Sequence, residues 1–369
     1  MQSTNFKILK IAIDPGYGSF KAAIVFNGKI LITTIPSLVG MGQTELGLLQ
    51  AGITRQKKQV PHRITFSNAQ TLLVGQYVEL FTQPTQRLDA ERLGDTLEQR
   101  ALTLTTLAQL LQQVDGLDLS KPIDLVLIVA LPVHILQGPD ARSVVQSLES
   151  WVVGEHHFNL NGQEYHLCIH AVKALAQPLG SFFEWGLNTS GQWSRSTADL
   201  KASVAVLDQG FNTLDVFHLS AGQIVRRYTG GETLGMRRAA KVMQEMLLQQ
   251  AGRRVSLYEA DGYIRHSCNG HKSELLVRGE TIDLKPLARQ ALDVAAGEVK
   301  AFLSQTWEDG KSFDYILLTG GGSLALGERL RTVYPHAIHL PDPVTANARG
   351  LARFAQRSGA LEVAANRVA

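Results

Sequence analysis

Cysteine is nearly missing from this chain: Cys168 and Cys268 are the only two, far apart in sequence. No disulfide framework can be built from them, and a reducing compartment, the cytoplasm, is expected. Charge of one sign is also missing. The 36 Lys and Arg against 33 Asp and Glu leave a net +3, which gives no reason to expect a broad nucleic-acid-binding face and makes any DNA contact indirect. Long apolar runs are absent as well. The longest, Ile123 to Leu136, is too short to span a bilayer and carries Asp124, Pro132 and His134. The N-terminus, MQSTNFKILKIAID, lacks the apolar core and small-residue cleavage site of a signal peptide, so no membrane partner is expected. Several familiar site signatures are missing too. No Gly-Lys-Ser/Thr ending marks a P-loop, and no Gly-x-Ser-x-Gly elbow marks a serine hydrolase. GYGSFK has the first two glycines of a dinucleotide fingerprint but Lys21 in place of the third, with a strand following.

What is present is a duplicated hairpin. IAIDPGYGSFKAAIV, Ile11 to Val25, reads as two apolar strands around an aspartate and a glycine turn. VAVLDQGFNTLDVFHLSAGQIV, Val204 to Val225, repeats the layout: Asp14 matches Asp208 and Gly16 matches Gly210, each 194 residues apart. A period that long suggests two similar domains facing each other rather than a solenoid. With 369 residues, 44% of them hydrophobic, the chain can bury two ordinary cores.

Between the hairpins the pattern alternates. Lys29 to Pro36 reads as a third strand, Thr96 to Val114 as a leucine-rich helix, and IDLVLIVALP as a strand. RQKKQVPHR, Arg55 to Arg63, reads as a basic surface loop, and Asn161-Gly162 as a hairpin turn. A helix opens within ALAQPLGSFFEW, and a Ser/Thr/Gly-rich loop then leads to a domain boundary near Ser203. The second half adds a helix after Gly230-Gly231, a mixed segment from Ala251 to Leu284, and a helix from Pro286 to Thr306. YILLTGGGSLALGERL is a strand, triple-glycine turn and helix, and a last helix starts near Thr345, a candidate N-cap.

The chemistry follows from the aspartates. A glycine turn offers backbone N–H groups to an anion, yet an adjacent carboxylate repels phosphate unless a cation lies between them. Two facing turns bearing Asp14 and Asp208 therefore point to a Mg²⁺-phosphate site, in which few carboxylates and many waters suit the ion. Lys21 adds a point charge, and Ser19, Asn212 and Thr213 add hydrogen-bond donors. His266, Cys268 and His271, and the pair His156-His157, lie close in sequence but read as ordinary polar residues rather than metal ligands.

The ordered motifs, Asp-Pro-Gly-x-Gly-x-x-Lys, then LDQGFNTLDV, then ILLTGGGSLALG, resemble the actin-like ATPase superfamily over nearly the whole chain. IPS at Ile35, LLVGQ at Leu72, ALPV at Ala130, AQPLGS at Ala176 and ANARGL at Ala346 are similar to its bacterial ParM/StbA branch. The resemblance implies an α/β, RNase H-like fold of two domains, each a mixed five-stranded sheet flanked by helices, with the nucleotide in the cleft between them. It implies a first domain of residues 1–202 plus 345–369, with a smaller part at about 37–100, and a second of 203–344, with a smaller part at about 232–285.

It further implies ATP or ADP with Mg²⁺ as cofactors, the ion held by Asp14 and Asp208 largely through water. Gly16, Tyr17, Gly18 and Ser19 would wrap the β-phosphate side with Lys21, and Gly210, Phe211, Asn212 and Thr213 the γ side. Gly320, Gly321 and Gly322, with Ser323 opening the helix behind, would pass close to adenine and ribose, and Gly231 and Glu232 would approach the nucleoside. Gln177 matches the position that orients the attacking water, which implies slow hydrolysis. The function implied is an ATPase that polymerises with itself into filaments and moves plasmid or other DNA through an adaptor protein. Two alternatives are a small-molecule kinase and a non-filamentous scaffold on the same fold. The segments from Gly40 to Arg100 and from Gly186 to Ala202 depart from the family pattern, and the tail after Leu351 lacks the aromatic, basic character of a membrane tether.

Overall fold

The computed structural model describes residues 8–42, 59–85, 93–270 and 273–357. The start of the basic loop at Arg55, His271, and the part of the tail beyond Arg357 lie outside them. Strands β1 (Leu9–Pro15), β2 (Ser19–Phe26) and β3 (Lys29–Pro36) form an antiparallel meander. Both faces of β1 are buried, with Ile11 and Ile13 in one core and Ala12 in another. The short strands β4 (Val39–Gly40), β5 (His62–Phe66) and β6 (Thr71–Val74) follow, so the basic loop ends where β5 begins.

Helix α1 (Leu97–Leu111) starts where Thr96 Oγ1 accepts the Gln99 N–H. Strand β7 (Ile123–Leu131) runs parallel beside β1, and helices α2 (Val133–Gln137) and α3 (Ala141–Val152) lead to β8 (Gly154–Leu160) and β9 (Gln163–Ala176). The β8–β9 turn is Asn161-Gly162, with φ 54° and 93°, as expected for a two-residue hairpin. The sheet order is β3-β2-β1-β7-β9-β8-β5-β6-β4. Its first five strands are the sheet the resemblance implies, but four more continue it. The reason is the length of β9: its first residues outrun β7 and pair only with β8, which hands the ladder on to β5.

Helix α4 (Gln177–Gly186) follows β9 without a gap, Pro178 in its first turn. The polar segment after it is a packed cap rather than an open loop. Trp193 packs against Gly186, where any Cβ would overlap the indole, and against Phe182 and Trp185. Helix α5 (Thr197–Lys201) is held by a Ser196–Asp199 capping box, and Asp199 also accepts the Tyr315 hydroxyl at 2.6 Å.

The second half repeats the plan. Strands β10 (Ser203–Gln209), β11 (Leu214–Ser220) and β12 (Gln223–Ile224) form a meander, and β13 (Gly230–Glu232) shares the outer edge of β11 with β12. Helices α6 (Arg237–Ala251) and α7 (Leu257–Cys268), the hairpin β14 (Glu274–Val277) and β15 (Glu280–Asp283), and helix α8 (Lys285–Thr306) follow. Then come β16 (Tyr315–Thr319), α9 (Ser323–Arg331), β17 (Ala337–His339) and α10 (Ala346–Phe354). The order β12-β11-β10-β16-β17 mirrors the first five strands of the first sheet, meander then two parallel strands, with β13 as a sixth. The duplicated hairpin is thus part of a duplicated sheet.

Helix α10 returns to the first sheet, lying on a surface of small residues that includes Ala12 and Ala23 through its own Ala348 and Ala352. Thr345 precedes it without capping it, because its hydroxyl is taken by Asp342 Oδ2. Where α10 crosses α4, Gly350 meets the backbone of Gly180, and a Cβ on Gly350 would overlap the Gly180 carbonyl. Buried Glu184 on α4 accepts Arg349 and Arg353 from α10 and completes this joint.

Candidate nucleotide cleft

The two hairpin turns open into one cavity of about 750 Å³ between the sheets. Asp14, Gly16, Tyr17, Gly18, Ser19 and Lys21 line it from the β1–β2 turn, and Asp208, Gly210, Phe211 and Thr213 from the β10–β11 turn. Gln177, Gly320 and Gly321 complete the sequence-derived set at its wall. The turns approach each other closely: a Cβ at Gly18 would lie 2.9 Å from Phe211 Cβ, so a side chain there would push them apart. Ser37, in the IPS stretch, holds the first turn by donating its hydroxyl to the Gly16 carbonyl at 2.6 Å.

The aspartates have different company. Asp14, 2% exposed, faces Lys21 directly across the hairpin, and Lys21 Nζ lies 3.0 Å from its Oδ2. Its Oδ1 accepts Gln177 Nε2 at 2.7 Å, so the first residue of α4 is tied into the cleft and is buried. Asp208 makes no ion pair among the described residues, and Lys21 acts on it only from farther off. Its Oδ2 accepts Asn347 Nδ2 from α10 at 2.6 Å, and Ser181 of α4 donates to Asn347 Oδ1 at 2.6 Å. Gly320 passes so close, at φ +78°, that any Cβ would overlap Asp208 Oδ1. Burial, with the Asp14 carboxylate adding to it, pushes the Asp208 carboxyl up to about 6 against the pull of Asn347.

Asp215, on the return strand of the second hairpin, belongs to the same buried group. The 194-residue offset that pairs Asp14 with Asp208 also pairs Lys21 with Asp215, so the second hairpin puts a carboxyl where the first has a cation. In the β10–β11 register Asp215 stands directly opposite Asp208. Like charges so placed repel. Burial and then Asp208 push the Asp215 carboxyl up to about 8, although Val133 N–H, at the start of α2, donates to its Oδ1 at 2.8 Å and Thr213 Oγ1 to its Oδ2 at 3.1 Å. Asp215 thereby ties the second hairpin to a helix that follows β7.

Both carboxyls bind a proton more tightly in the folded chain than the ordinary 3.8 allows. Their contribution to stability is therefore complete below about pH 4 and is lost as pH rises through about 6 for Asp208 and about 8 for Asp215. Urea melts of the nucleotide-free protein should show a midpoint that falls between about pH 5 and pH 8, and Asp215→Asn should remove the part of the fall above about pH 6. A wild-type midpoint that is flat across that window would contradict the assignment.

Other sequence-derived positions are not at the wall of the cavity. Asn212 is buried beneath the second turn, where its Oδ1 accepts Arg237 Nη1 at 3.2 Å. Gly231, on β13, is opposite Asp215, whose Oδ1 would lie 2.5 Å from a Cβ there, and neither Gly231 nor Glu232 lines the cavity. Strand pairing to β11 holds them behind the hairpin. Gly322 and Ser323 are buried under the triple-glycine turn: Gly322 N–H donates to Gln209 O, and Ser323 Oγ to Gly320 O. The opposite wall comes from α7 instead, with Tyr258, Asp261 and Arg265. Arg265 bonds Asp261 Oδ2 at 2.6 Å and Gly321 O at 2.9 Å, which sets the distance between helix and turn. The Asp-x-x-x-Arg spacing at Asp261 and Arg265 is a helical ion-pair signal, the one hint the mixed segment carried.

The donor set suits a hard cation: two buried carboxylates in one cavity with the Gln177 amide bonded to one of them. No helix among the described residues is long and apolar enough to cross a membrane.

Two family models match the chain, one for the N-terminal domain of actin-like proteins over residues 12–180 and one for the C-terminal domain of the archaeal MreB-like actin homologue over 206–332. No curated protein sequence matches it significantly. Among solved structures, a 15-stranded ParM filament from Clostridium botulinum aligns with a TM-score of 0.73 at 19% identity, covering 95% of this chain and 99% of that one. An archaeal actin homologue in complex with ADP aligns with a TM-score of 0.70 at 17% identity, over 95% and 100%. The apo psk41 ParM protein aligns at 0.66 and 19%, over 98% and 99%. At these identities the likeness is one of fold.

Proposed function

Because the chain belongs to the actin-like proteins by family models that span both of its halves, we propose that it binds ATP with Mg²⁺ in the cleft, hydrolyses it slowly, and polymerises with itself in the ATP state. The observation that carries this reading is the pair of facing hairpin turns, each ending in a buried aspartate, on one cavity. In it, Asp14 and Asp208 hold the ion largely through water, and the ion supplies charge neutralisation between carboxylates and phosphates. Backbone N–H groups around Gly16 to Ser19 and Gly210 to Thr213 bind the phosphate oxygens, with Lys21 beside them. Gly320 and Gly321 admit the nucleoside against Tyr258 and Arg265. Gln177, held by Asp14, orients a water without being a strong base.

A ligand that touches both turns binds the closed arrangement better than an open one, and so biases a head-to-tail assembly that is complementary only when closed. Carriage of plasmid or other DNA through an adaptor is the use that the ParM likeness suggests. The kinase alternative gains nothing from Asp215. That carboxyl is spent on α2 and Thr213 rather than directed into the cavity.

Sedimentation of the purified chain with Mg²⁺ and ATP, ADP or no nucleotide, with pellets viewed by negative-stain electron microscopy, is the test. ATP-dependent pelleting of filaments is expected. Protein that binds ATP tightly yet stays in the supernatant across concentration and salt would reject polymerisation and return the choice to a kinase or scaffold.

A further inference from the structure

The outer face of the β8–β9 hairpin carries side chains that the cleft does not use. In its register Glu155 stands opposite Cys168 and His157 opposite His166. Directly opposed residues share a face, and strand alternation puts Glu155 with His157 and His166 with Cys168, so all four project together. Phe158, Tyr165, Leu167 and Ile169 fill the core behind them. His156 points away, its Nε2 on Val152 O at 2.8 Å.

The polar atoms of Glu155, His166 and Cys168 lie close together, and His157 stands beside Glu155 and His166. His166 Nε2 lies 3.3 Å from Glu155 Oε2 and 3.5 Å from Cys168 Sγ. His157 Nε2 lies 3.5 Å from the same Glu155 oxygen, and the two imidazole rings are 3.9 Å apart. The Glu155, His166 and Cys168 donor atoms all fall within 4.8 Å of one another. Around a tetrahedral ion with metal–nitrogen bonds of about 2.1 Å and a metal–sulfur bond of about 2.3 Å, adjacent donors are separated by ~3.4–3.6 Å. The three short spacings here match the edges of such a tetrahedron. Glu–His pairing accounts for two of them and a thiol–imidazole hydrogen bond for the third, but exposed pairs of that kind contribute little by themselves.

We propose that Glu155, His157, His166 and Cys168 bind one Zn²⁺ ion on the outer face of this hairpin, apart from the nucleotide cleft. Two imidazoles, a thiolate and a carboxylate are the donor set that selects zinc over magnesium or calcium. The neighbouring carboxyl, Asp124 on β7 opposite Cys168, is engaged by His170 at 2.6 Å and stays outside the set. Zinc here cross-links β8 to β9 where the first sheet leaves its five-stranded part, so it stiffens the passage into the smaller part of that domain. The proposal does not rest on the nucleotide reading.

The test uses the full-length, tag-free protein, titrated with zinc against a chromophoric chelator and with Co²⁺ as a spectroscopic probe. One equivalent of zinc should bind, raise the melting temperature, and be reported by visible cobalt bands with a near-ultraviolet thiolate-to-cobalt transition. Cys168→Ser should abolish that transition, and His166→Ala or His157→Ala should weaken zinc at least about tenfold. Cys268→Ser should leave all signals unchanged. Circular dichroism of each variant separates lost ligands from lost fold. Failure of the wild-type chain to bind at micromolar zinc, or one-to-one binding retained by a folded His166→Ala/Cys168→Ser double variant, would overturn the proposal.

Discussion

Gln177→Ala should slow phosphate release about a hundredfold, or ~3 kcal/mol in the barrier, while ATP still binds. The side chain is buried at the cavity wall, and its Nε2 is committed to Asp14 Oδ1 at 2.7 Å. That bond orients the amide, so its carbonyl oxygen is the group left to accept a hydrogen bond from water in the cavity. Removing the amide frees the water and loses orientation, which is felt in the transition state more than in ground-state binding. Single-turnover phosphate release and equilibrium ATP binding, measured on the same preparation, separate the two. Unchanged turnover would reject the role in hydrolysis. A parallel loss of ATP binding would instead make Gln177 a support for Asp14.

Asp208→Asn should act in two directions. With its carboxyl at about 6 rather than 3.8, the charged form costs the nucleotide-free protein ~3 kcal/mol at neutral pH, an upper figure for what the amide recovers. The variant should therefore melt higher than the wild type without ligand, by an amount that vanishes as pH falls below about 4, where the native carboxyl is protonated in both states. With Mg²⁺ and ATP the order should reverse. The native carboxylate then faces a cation, and its loss should weaken Mg²⁺-dependent ATP binding about a hundredfold, or ~3 kcal/mol. Denaturant melts with and without Mg²⁺-ATP read both signs. A variant destabilised in both conditions would show that the Asn347 hydrogen bond outweighs the buried charge, and one that keeps the full Mg²⁺-ATP response would remove Asp208 from the cation site.

Asp208 also marks how far the chain could be read without coordinates. Its hairpin was legible, since the apolar strands, the glycine turn and the matching frame at Asp14 are all local. Its hydrogen-bond partner was not: Asn347 lies 139 residues away and reaches it because α10 crosses α4 at Gly180 and Gly350. Asp215 is legible in principle, because the offset that reveals the duplication puts it where the first hairpin has Lys21, opposite the aspartate, although the two residues do not match in type. The resemblance sets Gly231 and Glu232 toward a nucleoside, a position no local pattern signals; they lie on β13, paired to the edge of β11, and are not among the residues that line the cavity.

By itself the sequence determined the two hairpin units, the glycine turns, most helices and the class of fold, because strand alternation, turn residues and caps act over a few neighbours at a time. Tertiary structure alone decided which long-range groups meet. The nine-strand extension depends on β9 outrunning β7, the α7 wall on Arg265 reaching Gly321, and the joint between α4 and α10 on two glycines 170 residues apart. Such contacts are set by sheet order and by how closely helices can approach, and no periodicity along the chain records either.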